Sequence, residues 1–575
     1  MTTEKTLPTT IDPFMSWTWA EIEPFFKELQ ERPLEASSLH EWLSDWTKLA
    51  YLIEEMEARL YVATSQDTAD QKAEERFNAF LDEIYQPAKA ADQELKKKLL
   101  RSGLQPDGLE VALRNIQADN TIFRQENLPL LSDLQKLGIA YDRIIGGQTI
   151  TWEGAERTVS QMEPEFQASE RGVREEIWRL VYERRLQDRE SINENWAKLL
   201  GLRRRVAANA GLPDFRAYQW HHLKRFDYTP EDCLAFHDAI ESAVVPAATR
   251  VYERLRQRSG VETVRPWDLG LDMAVYNYSY PNLSPFTDTK TLEQTSAEIF
   301  RQVDPEFGAY FLTMMEEGLL DLENRKGKAP GGYCIRFPVT RRPFIFMNAV
   351  GTHDNVQTML HEAGHAFHVF EETPLPYHLQ HEIGSEFAEV ASMSMELLAS
   401  PYLEADRGGF YSRADAARAR IEHLEGGIQF WPYMAVVDAF QHWVYTHGGE
   451  AENPANCDAC WADLWDRFIP AVDWSGLEES KKTGWQRKLH IHTAPFYYVE
   501  YGLALMGANQ VWRNSLDDQA AALKSYRHAL SLGGTVPLPD LYRAAGARLA
   551  FDRGTLTEVV ELMERTIQEL ENEQA

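Results

Sequence analysis

Residues 354–368 read Asp354-Asn-Val-Gln-Thr-Met-Leu-His-Glu-Ala-Gly-His-Ala-Phe-His368. His361 and His365 are four residues apart in this stretch, and Glu362 directly follows the first histidine. In an α-helix, two such histidines lie about 40° apart on one face and about 6 Å apart along the axis. Both imidazoles can therefore hold one ion at Zn–N distances of about 2.0–2.1 Å.

The pattern H-E-x-x-H on a helix is typical of zinc-dependent hydrolases. Glu362 points about 100° away from His361, which is too far from the shared face for an easy third ligand. It is well placed to take a proton from a water that the metal activates. The sequence therefore predicts one Zn²⁺ per chain bound by His361 and His365, with Glu362 as the general base.

The third protein ligand decides what kind of zinc site this is, because a catalytic zinc has three protein ligands and one open position. The longer pattern H-E-x-x-H-x-x-G-x-x-H is excluded, since it requires Gly at 368 and His at 371, where this chain has His368 and Glu371. His368 lies about 10 Å from His361 along the helix. We expect it either to line a cleft or to pack in the core.

The remaining candidates lie on the next helix. The run Thr373-Pro-Leu-Pro376 must end the first helix, and Gly384-Ser385 provides the start of a second one. Glu386 and Glu389 stand one turn apart on this helix, and geometry alone does not choose between them. We expect one to bind the metal and the other to hold a ligand histidine by its free N–H. Glu396 can face the same way, in a structural or supporting role.

Gly364 lies inside the predicted first helix. A glycine in a helix interior costs about 1 kcal/mol relative to alanine. We therefore expect another backbone to pack closely against the helix at this residue.

Composition places the chain among globular proteins. It has 575 residues, of which 44% are hydrophobic and 26% are charged, and its formal net charge is −30. A chain with this much negative charge repels nucleic acid and anionic membrane surfaces, so we predict that neither is a partner. Four cysteines suit a reducing compartment, and neither a signal peptide nor an apolar run of about 18 residues is present. We expect a cytoplasmic protein.

The chain is predicted to be mostly helical, with two exceptions. Residues 143–152 are expected to form a hairpin with its turn at Gly146-Gly147. Residues 331–339 and 342–348 are rich in β-formers and are expected to form two strands of a small sheet next to the H-E-x-x-H helix. A strand in this position either pairs with a substrate backbone or closes the core.

Four segments in this order resemble the oligoendopeptidase F and thimet oligopeptidase family of zinc peptidases. They are Gly327-Lys-Ala-Pro-Gly-Gly-Tyr-Cys334, residues 354–368, Phe387-Ala-Glu-Val-Ala-Ser392 and His490-Ile-His-Thr-Ala-Pro-Phe-Tyr-Tyr-Val-Glu-Tyr501. The resemblance extends from about residue 200 to the end and is weaker before that. It implies that Glu389 is the third ligand.

The same resemblance implies a mostly α fold, in which two helical lobes surround a deep channel that admits short peptides. Residues 1–200 are predicted to form an N-terminal helical region that contributes to the channel wall. Residues 201–575 are predicted to form the catalytic zinc peptidase region.

The segment 490–501 can supply donors to an oxyanion, and one good donor is worth about 2.7–4 kcal/mol. Its aromatic residues could equally form a core, but the resemblance favours function. It implies a catalytic role for His490, Tyr497 and Tyr501, and it leaves His492 and Tyr498 open as alternatives, because loop length in this segment varies within the family. Six further residues are predicted to bind substrate or to support the site: Tyr498, His492, Glu386, Asp354, Gly331 and Gly332.

The sequence therefore predicts a zinc endopeptidase that hydrolyses short oligopeptides and acts as a monomer or a small homo-oligomer. A dipeptidyl carboxypeptidase of the same fold is an alternative, and it would need a cationic group for the substrate C-terminus. A peptide-binding protein without catalysis is a second alternative, which the intact ligand set and general base disfavour.

Overall fold

The computed structural model describes residues 6–168, 170–270 and 283–574. These residues are mainly α-helical, as predicted from the sequence, and none of their helices is long and apolar enough to cross a membrane. The helices are α1 (Ile11–Phe14), α2 (Trp19–Glu31), α3 (Leu39–Gln66), α4 (Gln71–Phe80), α5 (Gln86–Ser102), α6 (Glu110–Ile122), α7 (Asn127–Gly146), α8 (Val159–Ala168), α9 (Arg171–Gln187), α10 (Arg189–Asn209), α11 (Phe215–His222), α12 (Pro230–Ser259), α13 (Thr289–Val303), α14 (Pro305–Glu316), α15 (His353–Glu372), α16 (Ser385–Ala399), α17 (Arg413–Thr446), α18 (Pro454–Phe468), α19 (Glu478–Lys482), α20 (Leu489–Thr493), α21 (Tyr498–Asp517), α22 (Gln519–Ser531), α23 (Leu538–Ala544) and α24 (Arg553–Gln574).

The helices group into two compact units, and each unit is built from separate stretches of the chain. The first unit takes its described residues from Met1–Gln117, Ser284–Ala416 and Gly507–Leu549. The second takes them from Ala118–Leu283, Ala417–Met506 and Ala550–Ala575. The boundary predicted at residue 200 remains a sequence-based expectation.

The N-terminal part of the first unit is a helical layer with its own apolar core. Thr18 begins α2 with a capping box to Glu21, which satisfies backbone N–H groups that a helix start leaves unpaired. The tryptophans Trp42 and Trp46 of α3 are fully buried and pack edge to face, with ring centroids 5.1 Å apart. Leu95 of α5 belongs to the same core. Burial of these large side chains stabilises the layer.

A small sheet in the first unit contains the two strands that the sequence predicts and one more. Its strands are β3 (Leu320–Glu323), β4 (Tyr333–Phe337) and β5 (Arg342–Ala349). β5 lies in the middle, antiparallel to β4 and parallel to β3. β3 was not predicted because four residues, Leu-Asp-Leu-Glu, carry too short a pattern to identify a strand.

The predicted hairpin at residues 143–152 is displaced along the chain, so the prediction of its turn is wrong. Helix α7 continues to Gly146, and the strands are β1 (Thr149–Trp152) and β2 (Ala155–Thr158). The turn is Glu153-Gly154, where both residues have positive φ, 50° and 80°. That backbone matches the twist of a two-residue hairpin, whereas Gly146-Gly147 ends the helix.

Candidate metal centre and active site

Helix α15 carries both histidines of the predicted metal site. Thr352 caps its start, and its hydroxyl accepts the N–H of Asn355 while the Asn355 side chain bonds back to the Thr352 backbone. The helix ends at Glu372, directly before the predicted proline break. His361 and His365 therefore lie on one face, with ring centroids 4.9 Å apart and planes at 84°.

Helix α16 packs against α15 at Gly364, which confirms the predicted close approach of a second backbone. A Cβ at Gly364 would lie 2.6 Å from the Ser392 Cα and 2.8 Å from the Ala391 carbonyl oxygen. Real Cβ atoms do not come this close to backbone atoms, so the two helices can pack in this way only with glycine here. Gly384 occupies the cap position of α16, and Ser385 is its first helical residue.

The close packing of α15 and α16 brings Glu389 to both histidines. Its Oε2 atom lies 3.3 Å from His361 Nε2 and 3.7 Å from His365 Nε2. One ligand atom from each of the three residues lies within 4.8 Å of the others. Two imidazole nitrogens and one carboxylate oxygen are a donor set that Zn²⁺ binds in hydrolases, so these residues fit the predicted ion.

Hydrogen bonds fix the orientation and charge of this group. His361 Nδ1 lies 2.6 Å from Glu396 Oε1, so its Nε2 atom faces Glu389. Burial alone would raise the pKa of Glu389, but its hydrogen bond with His361 and the nearby imidazoles lower it. Ser392 Oγ also donates to this carboxylate, at 3.0 Å. Glu389 is therefore ionised and able to bind a cation.

Glu362 lies beside the three possible ligand residues and is almost completely buried. Burial raises the pKa of Glu362 to about 7, against the opposing effect of His361. The backbone N–H of Cys334, on β4, donates to this carboxyl group. Glu362 is thus held by the sheet that the sequence places next to α15, and its pKa suits a group that both accepts and donates a proton.

The other predicted residues of the first unit take different positions. Glu386 is buried, and its carboxylate folds over Gly384, where a Cβ would lie 2.5 Å from Glu386 Oε2. Among the described residues, Glu389 joins His361 and His365 as a possible metal ligand, and Glu386 does not. His368 packs in the core, which is one of the two positions expected for it.

Asp354 lies in the first turn of α15, and the glycine pair lies next to this helix. Desolvation of the carboxyl group and the nearby charge of Glu396 raise the pKa of Asp354, although the residue as a whole is exposed. Gly331 has a φ of 96° just before β4. A Cβ at Gly332 would lie 3.2 Å from Thr358 Cγ2 of α15. The pair therefore lets the chain pass close to α15.

The segment 490–501 belongs to the second unit, and its predicted catalytic residues form one aromatic group. The ring of His490 lies 6.1 Å from that of Tyr497 and 6.2 Å from that of Tyr501. All three side chains are partly exposed. Burial, together with the charge of Lys488, lowers the pKa of His490 to about 4, so the imidazole is neutral near pH 7.

The two alternatives that the sequence left open in this segment are buried. Tyr498 lies under Lys488, whose Nζ is 4.0 Å from the ring centroid. His492 is 1% exposed and stacks on Tyr141 with a centroid distance of 4.1 Å. The substrate contact considered for His492 does not fit this enclosed position, because the surrounding rings leave it no exposed edge.

Comparison with known proteins extends over most of the chain. The family model "Peptidase family M3" matches residues 166–561, and the model "Peptidase M3 N-terminal domain" matches residues 13–116. The chain belongs to peptidase family M3. This membership confirms the family predicted from the sequence.

Two solved structures share the fold of this M3 chain, and one further relative matches part of its sequence. It is similar to the structure of PZ peptidase A with an inhibitor, at 27% identity and a TM-score of 0.84, over 98% of this chain and 99% of that one. A protein assigned as an oligoendopeptidase F has the same identity and TM-score, over 96% of each chain. Oligopeptidase PepF of Bacillus subtilis is 24% identical over 286 residues, which are 48% of this chain and 41% of PepF.

Sequence reasoning missed one contact of this M3 site and left another undecided. The N–H of Cys334 on Glu362 was missed, because a backbone donor has no side-chain pattern that could reveal it. The contact of Glu396 with His361 was only one option among several. The seven-residue spacing from Glu389, which places both on one helix face, was the signal for it.

Proposed function

We propose that this chain is a zinc-dependent endopeptidase that hydrolyses short oligopeptides. The convergence of His361, His365 and Glu389 beside the buried Glu362 carries this proposal. Membership of peptidase family M3 supports the substrate class. The acidic composition and the four sparse cysteines support a cytoplasmic protein that binds peptides rather than nucleic acid.

His361, His365 and Glu389 would hold one Zn²⁺. When bound, this ion polarises the scissile carbonyl and lowers the pKa of water toward about 7. The Glu396 carboxylate accepts a hydrogen bond from His361 Nδ1, so that Nε2 is the ligand atom. Loss of such a supporting contact typically lowers metal affinity or activity by about 10–100-fold.

Glu362 moves the proton. Its carboxylate takes a proton from the attacking water and gives it to the nitrogen of the leaving amine. A pKa of about 7 suits both steps, because the group is neither too weak a base nor too weak an acid. The Cys334 N–H keeps one oxygen in place through both steps.

The catalytic role of His490, Tyr497 and Tyr501 enters this proposal from the family resemblance of the segment 490–501. The Tyr497 and Tyr501 hydroxyls and the neutral His490 imidazole can each donate one hydrogen bond to the developing oxyanion. β4 lies at an edge of the sheet and is the strand we assign to pairing with the substrate backbone.

A pair of measurements on Glu362→Gln tests the proposal. The variant keeps the shape of the side chain but cannot accept the proton, so hydrolysis of a quenched fluorescent peptide should fall by several orders of magnitude. Its zinc content should equal that of the wild type. Near-normal turnover would overturn the mechanism.

A peptide with both ends blocked separates the endopeptidase from its alternative. An endopeptidase cleaves such a peptide at internal bonds, and product masses identify the bond. A dipeptidyl carboxypeptidase requires the free C-terminal carboxylate and would leave the peptide intact. Absence of any cleavage, blocked or free, by the zinc-loaded protein would instead favour a non-catalytic binding protein.

A further inference from the structure

A second group of metal-ligating side chains lies inside the second unit. Helix α12 contributes Cys233 and His237, and α17 contributes Asp438 and His442. Each pair is spaced four residues apart, so both members project from one helix face. One ligand atom from each of Cys233, Asp438 and His442 lies within 4.8 Å of the others. All four side chains are at most 3% exposed.

Asp438 is the reason to expect a cation here. It is fully buried, and its Oδ1 atom has no hydrogen-bond partner. Its Oδ2 atom lies 2.9 Å from His237 Nε2 and 3.3 Å from His442 Nε2. In the described part of the chain, no lysine or arginine makes an ion pair with it. A buried carboxylate without a compensating charge is costly.

Two cations could balance Asp438, a protonated imidazole or a metal ion. An imidazolium would leave the Asp438 Oδ1 atom unpaired. A metal ion between Cys233, Asp438 and His442 satisfies all three donors, while His237 orients the carboxylate from its other oxygen.

We propose that Cys233, Asp438 and His442 bind a second, structural zinc ion. Sulfur, nitrogen and carboxylate oxygen are the three donor types that protein zinc sites use. Binding releases the Cys233 thiol proton to solvent, because the thiolate is the ligand form. The proposal does not depend on the peptidase assignment.

One contact must change when the ion binds. Arg216 Nη1 lies 3.3 Å from His442 Nδ1, and an arginine can only donate. Ligation through Nε2 places the imidazole proton on Nδ1, so Arg216 has to turn away. Its side chain is partly exposed and can do so. Arg216→Ala should therefore leave the second zinc in place.

Zinc content of the full-length protein, expressed in zinc-supplemented medium and desalted, tests the site. We expect two zinc ions per chain in the wild type and one in Cys233→Ser, which should keep its peptide hydrolysis. Glu389→Ala should also hold one ion, without hydrolysis. Cys460→Ser is the matched control and should hold two. One ion in the wild type that Glu389→Ala loses would overturn the proposal.

Cobalt gives a readout that is specific to this site. The predicted catalytic ligands include no sulfur, so a thiolate-to-cobalt charge-transfer band in protein from cobalt-supplemented medium reports a cysteine ligand. We expect the band in the wild type and in Cys460→Ser, and its loss in Cys233→Ser. No band in a wild type that carries cobalt, or a band that survives in Cys233→Ser, would rule out Cys233 as a ligand.

Discussion

Gly364 on α15 faces Ser392 on α16 so closely that a Cβ at Gly364 would lie 2.6 Å from the Ser392 Cα. This contact sets the distance between the helix that carries His361 and His365 and the helix that carries Glu389. The position of Glu389, the proposed third ligand, thus depends on a glycine that has no side chain to bind a metal.

Gly364→Ala should destabilise the protein and weaken zinc binding. Alanine favours a helix interior by about 1 kcal/mol, but overpacking against backbone costs about 1–3 kcal/mol, so the net effect is loss. The measurements are urea unfolding and zinc competition. Gly426→Ala is the matched control, since a Cβ at Gly426 meets nothing within 4 Å. Equal stability of the two variants would contradict this prediction.

The two glutamates at the start of α16 should differ in their effect on zinc. Glu389→Ala removes a carboxylate oxygen 3.3 Å from His361 Nε2, so the purified variant should lose its catalytic zinc. Glu386→Ala should retain zinc, with at most weaker affinity. Metal titration of both variants checks this, and the reverse order would mean that Glu386 is the ligand.

Glu396→Ala should weaken zinc binding without removing a ligand. The carboxylate holds His361 Nδ1 at 2.6 Å, and loss of such a support costs about 10–100-fold in metal affinity or activity. Zinc affinity measured by competition with a chelator gives the size of the effect. Activity should return at high zinc concentration, and failure to return would show that Glu396 has a further role.

Arg225 should position the aromatic segment of the second unit. Its Nη2 atom donates to the Phe496 carbonyl at 2.6 Å and pairs with Glu500. Phe496 has a φ of 67°, a strained conformation that costs about 1–3 kcal/mol. Without this contact the turn can relax and move the neighbouring Tyr497.

The double variant Arg225→Met/Glu500→Gln tests this role while avoiding an unpaired buried charge. We expect its kcat to fall more than its KM rises, with zinc content unchanged. Phe226→Leu, which alters the next residue but not the contact, should stay near wild type. A normal kcat in the double variant would show that the segment keeps its place without Arg225.

His492 should make stability depend on pH. Burial lowers the pKa of His492 to about 3, whereas an unfolded histidine has a pKa of about 6.5. The unfolded state therefore binds more protons between these values, and stability falls as the pH drops below about 6.5, by up to about 1.4 kcal/mol per unit. His492→Phe should reduce this slope, and the exposed His447→Phe should not. An unchanged slope in His492→Phe would contradict the prediction.

Local patterns were predictable from the sequence, and relations between distant segments were not. The face shared by His361 and His365 follows from helix periodicity alone. The choice between Glu386 and Glu389 depends on how α16 is rotated against α15, which the contact at Gly364 determines and no spacing reveals.

The hairpin error has a similar physical cause. Residues 143–145, Arg-Ile-Ile, fit the end of an apolar helix as well as the start of a strand, and two glycines follow in either case. The observed turn at Glu153-Gly154 uses a positive φ at a glutamate, which sequence preference disfavours. The pairing of β1 with β2 places the turn at these two residues.

The packing of Gly364 against Ser392 also predicts an order of events during folding. His361 and His365 are neighbours in one helix, so a nascent α15 already offers a weak two-nitrogen site. Glu389 joins them only after α16 has docked. During refolding, zinc should therefore bind in two stages, weakly at first and tightly later. The start of the tight stage would then report when α16 packs against α15.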